Sequence, residues 1–155
     1  MSESLILEDD EAIAEIVRAA RVVAVVGAKD GRVDPDAPAY GVPRSLQSRG
    51  LRIVPVNPKF QTALGERVYP SITAVPERVD IVDVFRRPAA LPAHADEILA
   101  LPESRRPGTV WMQSGIRHDE AAARLASAGI RVVMDRCLGV YAARYRARTA
   151  SPTQT

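Results

Sequence analysis

Short runs of apolar, mostly β-branched residues alternate with amphipathic stretches along the chain. The clearest run is Val22–Val26, which contains no polar position and ends at Gly27. Uninterrupted apolar runs of this length are typical of parallel strands that helices cover on both faces. The same pattern predicts strands over residues 22–26, 51–56, 79–85, 109–113 and 130–134, and a short edge strand at 68–69 before Pro70.

The stretches between these strands have helical patterns. Residues 5–20 carry four consecutive acidic side chains near their start, which suit the positive end of a helix. Ile13, Ile16, Val17 and Ala20 follow at helical spacing and form one apolar face. Further helices are predicted over residues 40–48, 88–101, 118–128 and 139–146, with a single helical turn at 71–75.

Strands separated by helices are the pattern of βαβ units. The predicted fold is therefore α/β, a single domain with a doubly wound, mostly parallel, Rossmann-like sheet. Right-handed crossovers favour the strand order 3-2-1-4-5-6. We expect this domain to span residues 1–147 and a flexible tail, rich in Ser, Thr and Pro, to occupy residues 148–155.

Composition and charge exclude several classes of protein. The chain has 155 residues, of which 46% are hydrophobic and 26% charged, as in an ordinary globular domain. Its apolar runs are too short to cross a membrane, and its acidic start does not resemble a signal peptide. A lone Cys137 cannot form an internal disulfide, which suits a reducing compartment. We expect a cytoplasmic protein with no membrane partner, and the net charge of +2 makes nucleic acid an unfavoured partner.

The ends of the predicted strands carry the candidate binding residues. In a doubly wound sheet, ligands bind beyond the carboxyl ends of the strands. Cationic side chains follow four of the five main strands, which predicts a site for an anionic, phosphorylated ligand. The candidates are Gly27, Ala28, Lys29, Asp30, Gly31 and Arg32 after the first strand, Tyr40 and Gly41 at the next helix start, Asn57, Pro58 and Lys59 after the second strand, Phe85 and Arg86 after the third, and Gln113, Ser114 and Gly115 after the fourth.

Two departures from the dinucleotide-binding pattern narrow the choice of ligand. Gly27 is not part of a G-x-G-x-x-G motif, and 12 residues separate it from the helix start at Tyr40. Unpaired backbone N–H groups at that helix start would suit a pyrophosphate. The second strand ends in Asn57 and Lys59, where NAD-binding folds place an acidic residue on the ribose. An ammonium group there favours a phosphorylated ribose, as in NADP or coenzyme A.

The other chemistry-bearing residues are isolated from one another. His94 is expected on the solvated face of a helix, and His118 at a helix start as a cap or a surface residue. Asp83 lies within an apolar strand and is expected to be a buried, hydrogen-bonded acid. Cys137 is expected to be a small buried residue rather than a thiol that meets the ligand. No metal site and no catalytic constellation is predicted.

Several segments resemble the stand-alone CoA-binding domain proteins, whose fold is similar to the amino-terminal domain of the succinyl-CoA synthetase alpha subunit. The resemblance implies a Rossmann-like fold that contacts coenzyme A through the glycine turn at 27–32, Lys59 and the polar turn at 113–115. The catalytic histidine of the synthetase belongs to a second domain outside the resemblance, so ligase activity is not implied. The matching segments are VAVVGA at 23–28, YGV at 40–42, VPVNPK at 54–59, VDIVDVFR at 79–86, WMQSG at 111–115 and VMDRC at 133–137.

The combined expectation is a protein that binds coenzyme A or an acyl-CoA, for which the sequence indicates a binding protein more than an enzyme. The adenine and ribose are expected near residues 57–59, and the pyrophosphate at 27–32 and the helix start at Tyr40. The pantetheine arm is expected along Phe85, Arg86 and the 113–115 turn.

Two alternatives remain open. A small NADP-dependent oxidoreductase would need a proton donor beside the nicotinamide, and the sequence has no Tyr-x-x-x-Lys pair. An interaction module would use the four arginines within residues 136–148 on nucleic acid, although a solvated helix end explains them equally well. A homo-oligomer or an unidentified protein partner also remains open.

Overall fold

A computed structural model describes residues 4–149 as a parallel β-sheet with helices on both faces. The remainder of the predicted tail, residues 150–155, lies outside the described residues. The strands are β1 Val22–Val26, β2 Arg52–Val56, β3 Thr62–Ala63, β4 Glu66–Arg67, β5 Ile81–Val84, β6 Thr109–Met112 and β7 Arg131–Val133. The helices are α1 Asp10–Ala19, α2 Pro38–Gln47, α3 Leu91–Ala100, α4 Asp119–Ser127 and α5 Leu138–Tyr145.

The predicted α/β fold with a Rossmann-like parallel sheet is confirmed, with a small difference in strand order. The main sheet has five strands in the order β2-β1-β5-β6-β7, and β3 pairs with β4 in a separate antiparallel hairpin. The strand expected outside β2 is reduced to one bridge between Tyr69 and Val56. Pro70 follows at once and has no N–H to continue the pairing.

The first predicted helix is shorter than the sequence pattern indicates. Ile6 lies in an extended segment that bridges Val132 at the other edge of the sheet, so the start of the expected helix is instead a strand-like arm. The carboxylate of Asp9 accepts a hydrogen bond from the N–H of Ala12 at 3.0 Å. This side-chain cap makes Asp10 the first helical residue of α1.

The buried strands supply two separate cores because successive side chains point to opposite faces of the sheet. One core packs against α3 and α4, and the other packs against α1, α2 and α5. Trp111 is fully buried in the second core, and its indole N–H donates to the carbonyl of Arg136 at 2.7 Å. Its ring meets Tyr141 edge to face at a centroid distance of 5.5 Å. These contacts attach the segment after β7 to the end of β6.

The arginine-rich C-terminal segment is used by the fold itself. The Arg146 guanidinium donates to four backbone carbonyls, three of them at the end of α1, where helical carbonyls lack partners. Arg136 donates to the carbonyls of Glu8 and Met134. Two of the four arginines that the nucleic-acid alternative invoked are therefore held by internal contacts. Within residues 4–149, no helix is long and apolar enough to cross a membrane.

Asp83 is an ionisable residue in the middle of the sheet. It is fully buried in β5 between Val25 and Trp111 of the neighbouring strands. Neither of its carboxyl oxygens has a hydrogen-bond partner within the described part of the chain. The expectation of a buried acid is confirmed, but the expectation of hydrogen bonds is wrong. Burial disfavours the charged form and raises the pKa of Asp83 well above its usual range.

This raised pKa predicts how stability depends on pH. Above the unfolded pKa of about 4, the unfolded chain releases the Asp83 proton, whereas the folded chain retains it up to the raised folded pKa. The free energy of unfolding therefore falls as pH rises from about 4 towards the folded pKa. Asp83→Asn stays neutral and removes this loss, so its stability relative to the wild type should rise with pH above about 4, by at most about 1.4 kcal/mol per pH unit.

Urea unfolding of both proteins across this pH range measures the effect. Asp36→Asn makes the same chemical change at an exposed loop position and reports what the loss of one surface carboxylate does by itself. A stability difference between Asp83→Asn and the wild type that stays constant with pH would show that Asp83 does not hold a proton in the folded state.

Candidate functional site

Three clefts meet at Arg86, just beyond the carboxyl end of β5. We call them the cationic cleft, of about 260 Å³, the apolar cleft, of about 650 Å³, and the His94 cleft, of about 210 Å³. Arg86 lines all three, and its side chain is exposed. The site therefore lies where the doubly wound fold is expected to bind a ligand.

The cationic cleft collects positive charge from three loops. It is lined by Gly27, Lys29, Asn57, Lys59, Phe85, Arg86 and Arg87. Among the residues that the structure describes, none of its four cationic side chains forms a salt bridge, and no carboxylate lines the cleft. Converging cations without a counter-charge favour an anionic ligand such as a phosphate group.

The side chain of Asn57 connects two of the loops that form the cationic cleft. Its side chain is 6% exposed, its Nδ2 donates to the carbonyl of Ala28, and its Oδ1 accepts from the N–H of Lys59, both at 2.9 Å. The side chain thus joins the loop after β1 to the loop after β2. Both ends of the amide are satisfied inside the protein, so Asn57 has a structural role in supporting the cleft.

Gly27 allows the first loop to approach the end of β5. Its φ is +87°, a left-handed conformation that glycine adopts without strain. A Cβ atom at this position would lie 2.7 Å from the carbonyl oxygen of Phe85. A side chain is therefore excluded, and the backbone of the loop forms the floor between the cationic cleft and the His94 cleft.

The apolar cleft extends from Arg86 to the start of α5. Gln113 is 4% exposed, and its Oε1 accepts from the N–H of Leu138 at 2.9 Å, which caps α5. Ser114 and Gly115 are exposed at the rim. The lining residues are Lys29, Ala37, Pro38, Ala39, Val42, Phe85, Arg86, Arg87, Pro88, Gln113, Ser114, Gly115, Ile116 and Cys137.

Cys137 is one of the residues that line the apolar cleft. It is half-buried, so the expectation of a wholly buried small residue is wrong. Cys137 is also the residue that precedes α5, whose first N–H is capped by Gln113. A thiol is therefore held beside a mostly apolar cleft.

Four predicted residues lie in a different place, which we call the Tyr40 cleft. This cleft, of about 540 Å³, shares no lining residue with the other three and includes Asp30, Gly31, Arg32 and Tyr40. The carboxylate of Asp30 accepts three side-chain hydrogen bonds and one backbone bond from Arg32 at 2.6–3.1 Å, which lower the pKa of Asp30. The charge of Arg32 is thereby paired with Asp30. The predicted 27–32 turn is divided between the clefts at Arg86, which Gly27 and Lys29 line, and the Tyr40 cleft, which residues 30–32 line.

The backbone N–H groups that were expected to be unpaired at the start of α2 have partners within the protein. The helix begins at Pro38, two residues before the predicted start. The N–H groups of Tyr40 and Gly41 both donate to the carbonyl of Ala37 at 2.9 Å, so they are not unpaired. Ala28 and Gly41 line none of the four clefts described here.

Sequence reasoning missed two contributors to the site, Arg87 and His94, and foresaw the role of His118 outside it. Arg87 follows Arg86 and lines two of the clefts. The side chain of His94 is only 15% exposed and lines the His94 cleft beside Glu97, so the expectation of a solvated helix face is wrong. Its i,i+3 spacing from Glu97 was the signal available in the sequence. His118 caps α4, as one of its two expected roles, by accepting from the N–H of Ala121 at 3.0 Å.

Within residues 4–149, no group of three or more His, Cys, Asp and Glu side chains is placed to hold a metal ion.

A doubly wound sheet with cationic loops at its carboxyl edge defines the class as a Rossmann-like α/β domain. A family model described as "CoA binding domain" matches residues 21–143. The chain belongs to this family.

Comparison with individual proteins agrees with this assignment. The chain is 38% identical over 128 residues to YneT of Bacillus subtilis (strain 168), covering 83% of this chain and 90% of that protein. A solved Thermus thermophilus structure, cell-free ID.343, is 46% identical, with a TM-score of 0.80 over 89% of this chain and 99% of the other. A hypothetical protein from Pyrococcus horikoshii OT3 is 28% identical, with a TM-score of 0.80 over 94% and 99% of the two chains.

A larger enzyme contains the same fold. The dinucleotide-forming acetyl-coenzyme A synthetase 1 of Ca. Korarchaeum cryptofilum is 22% identical, with a TM-score of 0.63 over 77% of this chain. The match spans 27% of the length of that enzyme. At this identity the similarity concerns the fold alone.

Proposed function

We propose that the protein binds coenzyme A or an acyl-CoA in the three clefts that meet at Arg86, as a binding protein rather than an enzyme. The observation that carries this proposal is the juxtaposition of two kinds of surface. Four cations without a carboxylate line one cleft, and a larger, mostly apolar cleft continues from it through Lys29, Phe85, Arg86 and Arg87. Coenzyme A has a matching division into a phosphorylated nucleotide and an extended pantetheine arm.

The charges and lengths of the clefts suggest an orientation. The pyrophosphate and the phosphorylated ribose lie in the cationic cleft, with Lys59 at the ribose end and Lys29 beside the pyrophosphate. The pantetheine arm follows the apolar cleft past Phe85 and the 113–115 turn, and its thiol ends near Cys137. In this orientation the ligand avoids Asp30, the carboxylate of the neighbouring Tyr40 cleft. The reduced thiol of Cys137 also suits the cytoplasm, which we propose as the location.

Nothing in the clefts or the comparisons favours the NADP-dependent oxidoreductase. The acids near the carboxyl edge are committed to internal contacts: Asp30 pairs with Arg32, and Asp135 accepts from the N–H of Gly115 at 2.6 Å. Asp83 is fully buried in the core. The family model that matches residues 21–143 is described as a CoA binding domain and does not name a nicotinamide cofactor.

Lys59 provides a test of the nucleotide end. We expect it to contact the 3′-phosphate of coenzyme A, because it follows β2, where related folds recognise the ribose. Lys59→Ala should weaken coenzyme A binding about tenfold, as expected for the loss of one charge-assisted contact, and leave dephospho-CoA almost unaffected. Added salt should narrow the difference because the exposed pair is screened. Calorimetric titration gives both dissociation constants.

Lys29→Ala is the matched control for this test. It removes the same charge from the same cleft, but at the proposed pyrophosphate position, so both ligands should weaken alike. If Lys59→Ala also weakens both ligands equally, Lys59 contacts the pyrophosphate and the ribose is placed wrongly.

Cys137 provides a test of the pantetheine end. With CoA disulfide as the probe, the Cys137 thiolate attacks one ligand sulfur, a protein–CoA disulfide forms, and one CoA thiolate leaves, so no other oxidant is needed. Binding of the nucleotide raises the local concentration of the disulfide. We expect intact mass measurements to show a CoA-sized adduct that forms at least about tenfold faster than the adduct from oxidised glutathione at equal concentration.

Cys137→Ser is the control and should form no adduct. Equal rates with CoA disulfide and oxidised glutathione would mean that the bound thiol does not reach Cys137, and the pantetheine arm would need another path.

A further inference from the structure

His94 lies on α3 at the edge of the candidate site and has one free ring nitrogen. Its Nδ1 is 2.9 Å from Oε1 of Glu97, which lies one turn further along the helix. Its Nε2 is buried and has no hydrogen-bond partner within residues 4–149. Buried polar groups in proteins nearly always have partners, so this nitrogen, on a residue that lines the His94 cleft, calls for an explanation. Because Nε2 is buried, a ligand in the cleft reaches it only when the His94 ring turns towards the cleft.

In a neutral His94 ring, the contact with Glu97 determines which nitrogen carries the proton. An ionised carboxylate only accepts hydrogen bonds, so the contact with Glu97 places the N–H on Nδ1. In the neutral ring, Nε2 is then an acceptor and needs an N–H or O–H donor. An ionised phosphate group offers acceptors and does not meet this need. The missing partner is therefore a donor, such as an amino group on a ligand.

The His94 cleft, of about 210 Å³, has a lining that suits a planar ring. Its walls include the apolar residues Val56 and Ile72 and the flat rings of Pro58 and Pro70. Apolar walls with a few polar groups are typical of small-molecule sites. The cleft shares Gly27 and Arg86 with the cationic cleft, so a nucleotide with its phosphates in one cleft can place its base in the other.

We propose that the His94 cleft takes the adenine base of the bound nucleotide and that Nε2 of His94 accepts a hydrogen bond from the exocyclic amino group. This inference rests on the proposed binding of coenzyme A and specifies how its base is recognised. Hypoxanthine carries a carbonyl oxygen where adenine carries the amino group. That oxygen would face the lone pair of Nε2, so the site discriminates between the two bases.

The test compares coenzyme A with its deaminated, hypoxanthine-containing analogue by calorimetric titration. The wild type should bind the analogue about tenfold more weakly, as expected for an acceptor that loses its donor. His94→Phe keeps a flat ring but has no acceptor. It should bind coenzyme A about as weakly as the analogue, so that the preference for adenine disappears.

Two further variants keep the test informative. His118→Asn changes the chain's other histidine, retains an acceptor for the cap of α4, and should keep the preference. In Glu97→Gln the amide can donate to Nδ1 as well as accept from it, so the preference should shrink even if His94→Phe does not fold.

The outcomes separate this inference from the proposed function. If the wild type does not bind coenzyme A, the proposed function fails. If it binds coenzyme A and the analogue equally, or if His94→Phe and Glu97→Gln both keep the full preference, the base is recognised elsewhere. In that case the binding of coenzyme A stands and only the role of His94 is overturned.

Discussion

The candidate site depends on one buried amide, the side chain of Asn57, which joins the loops that follow β1 and β2. It bonds the carbonyl of Ala28 on one side and the N–H of Lys59 on the other. Because the amide is shielded from water, loss of either bond would leave a buried polar group unpaired, at a cost of about 1–3 kcal/mol. These two hydrogen bonds keep Lys29 and Lys59 at one cleft. They also place a neutral amide where a dinucleotide-binding fold would have a carboxylate.

A second buried amide organises the opposite end of the site. Gln113 caps the first N–H of α5 and so holds Cys137 beside the apolar cleft. Arg86 stands between these two supports and contributes to every cleft of the site. The exposed cations and the thiol are thus positioned by neutral side chains that are satisfied within the protein. The positive charge of the cationic cleft is therefore not compensated by a carboxylate that lines it.

The fold was predictable from the sequence because long apolar runs and helical spacing are local signals, whereas the contacts of individual side chains are not. The strand ends identified the loops of the site, including Lys59 and Arg86. Asn57 and Gln113 were expected to meet the ligand, yet their burial and internal bonds emerge only from the packed structure. The sequence does not predict the hairpin of β3 and β4, because each of its strands has only two residues. Its turn also places Leu64 at a φ of +58°, a conformation for which glycine or asparagine would be the usual sequence signal.

The central claim, that the cationic cleft selects coenzyme A, is tested most directly by calorimetric titration of the wild type with coenzyme A, NAD and NADP under the same conditions. The absence of a carboxylate among the described residues of that cleft predicts a coenzyme A dissociation constant in the micromolar range, about −8 kcal/mol, and a dissociation constant for NAD at least about tenfold higher. Tighter binding of NAD or NADP than of coenzyme A would contradict it.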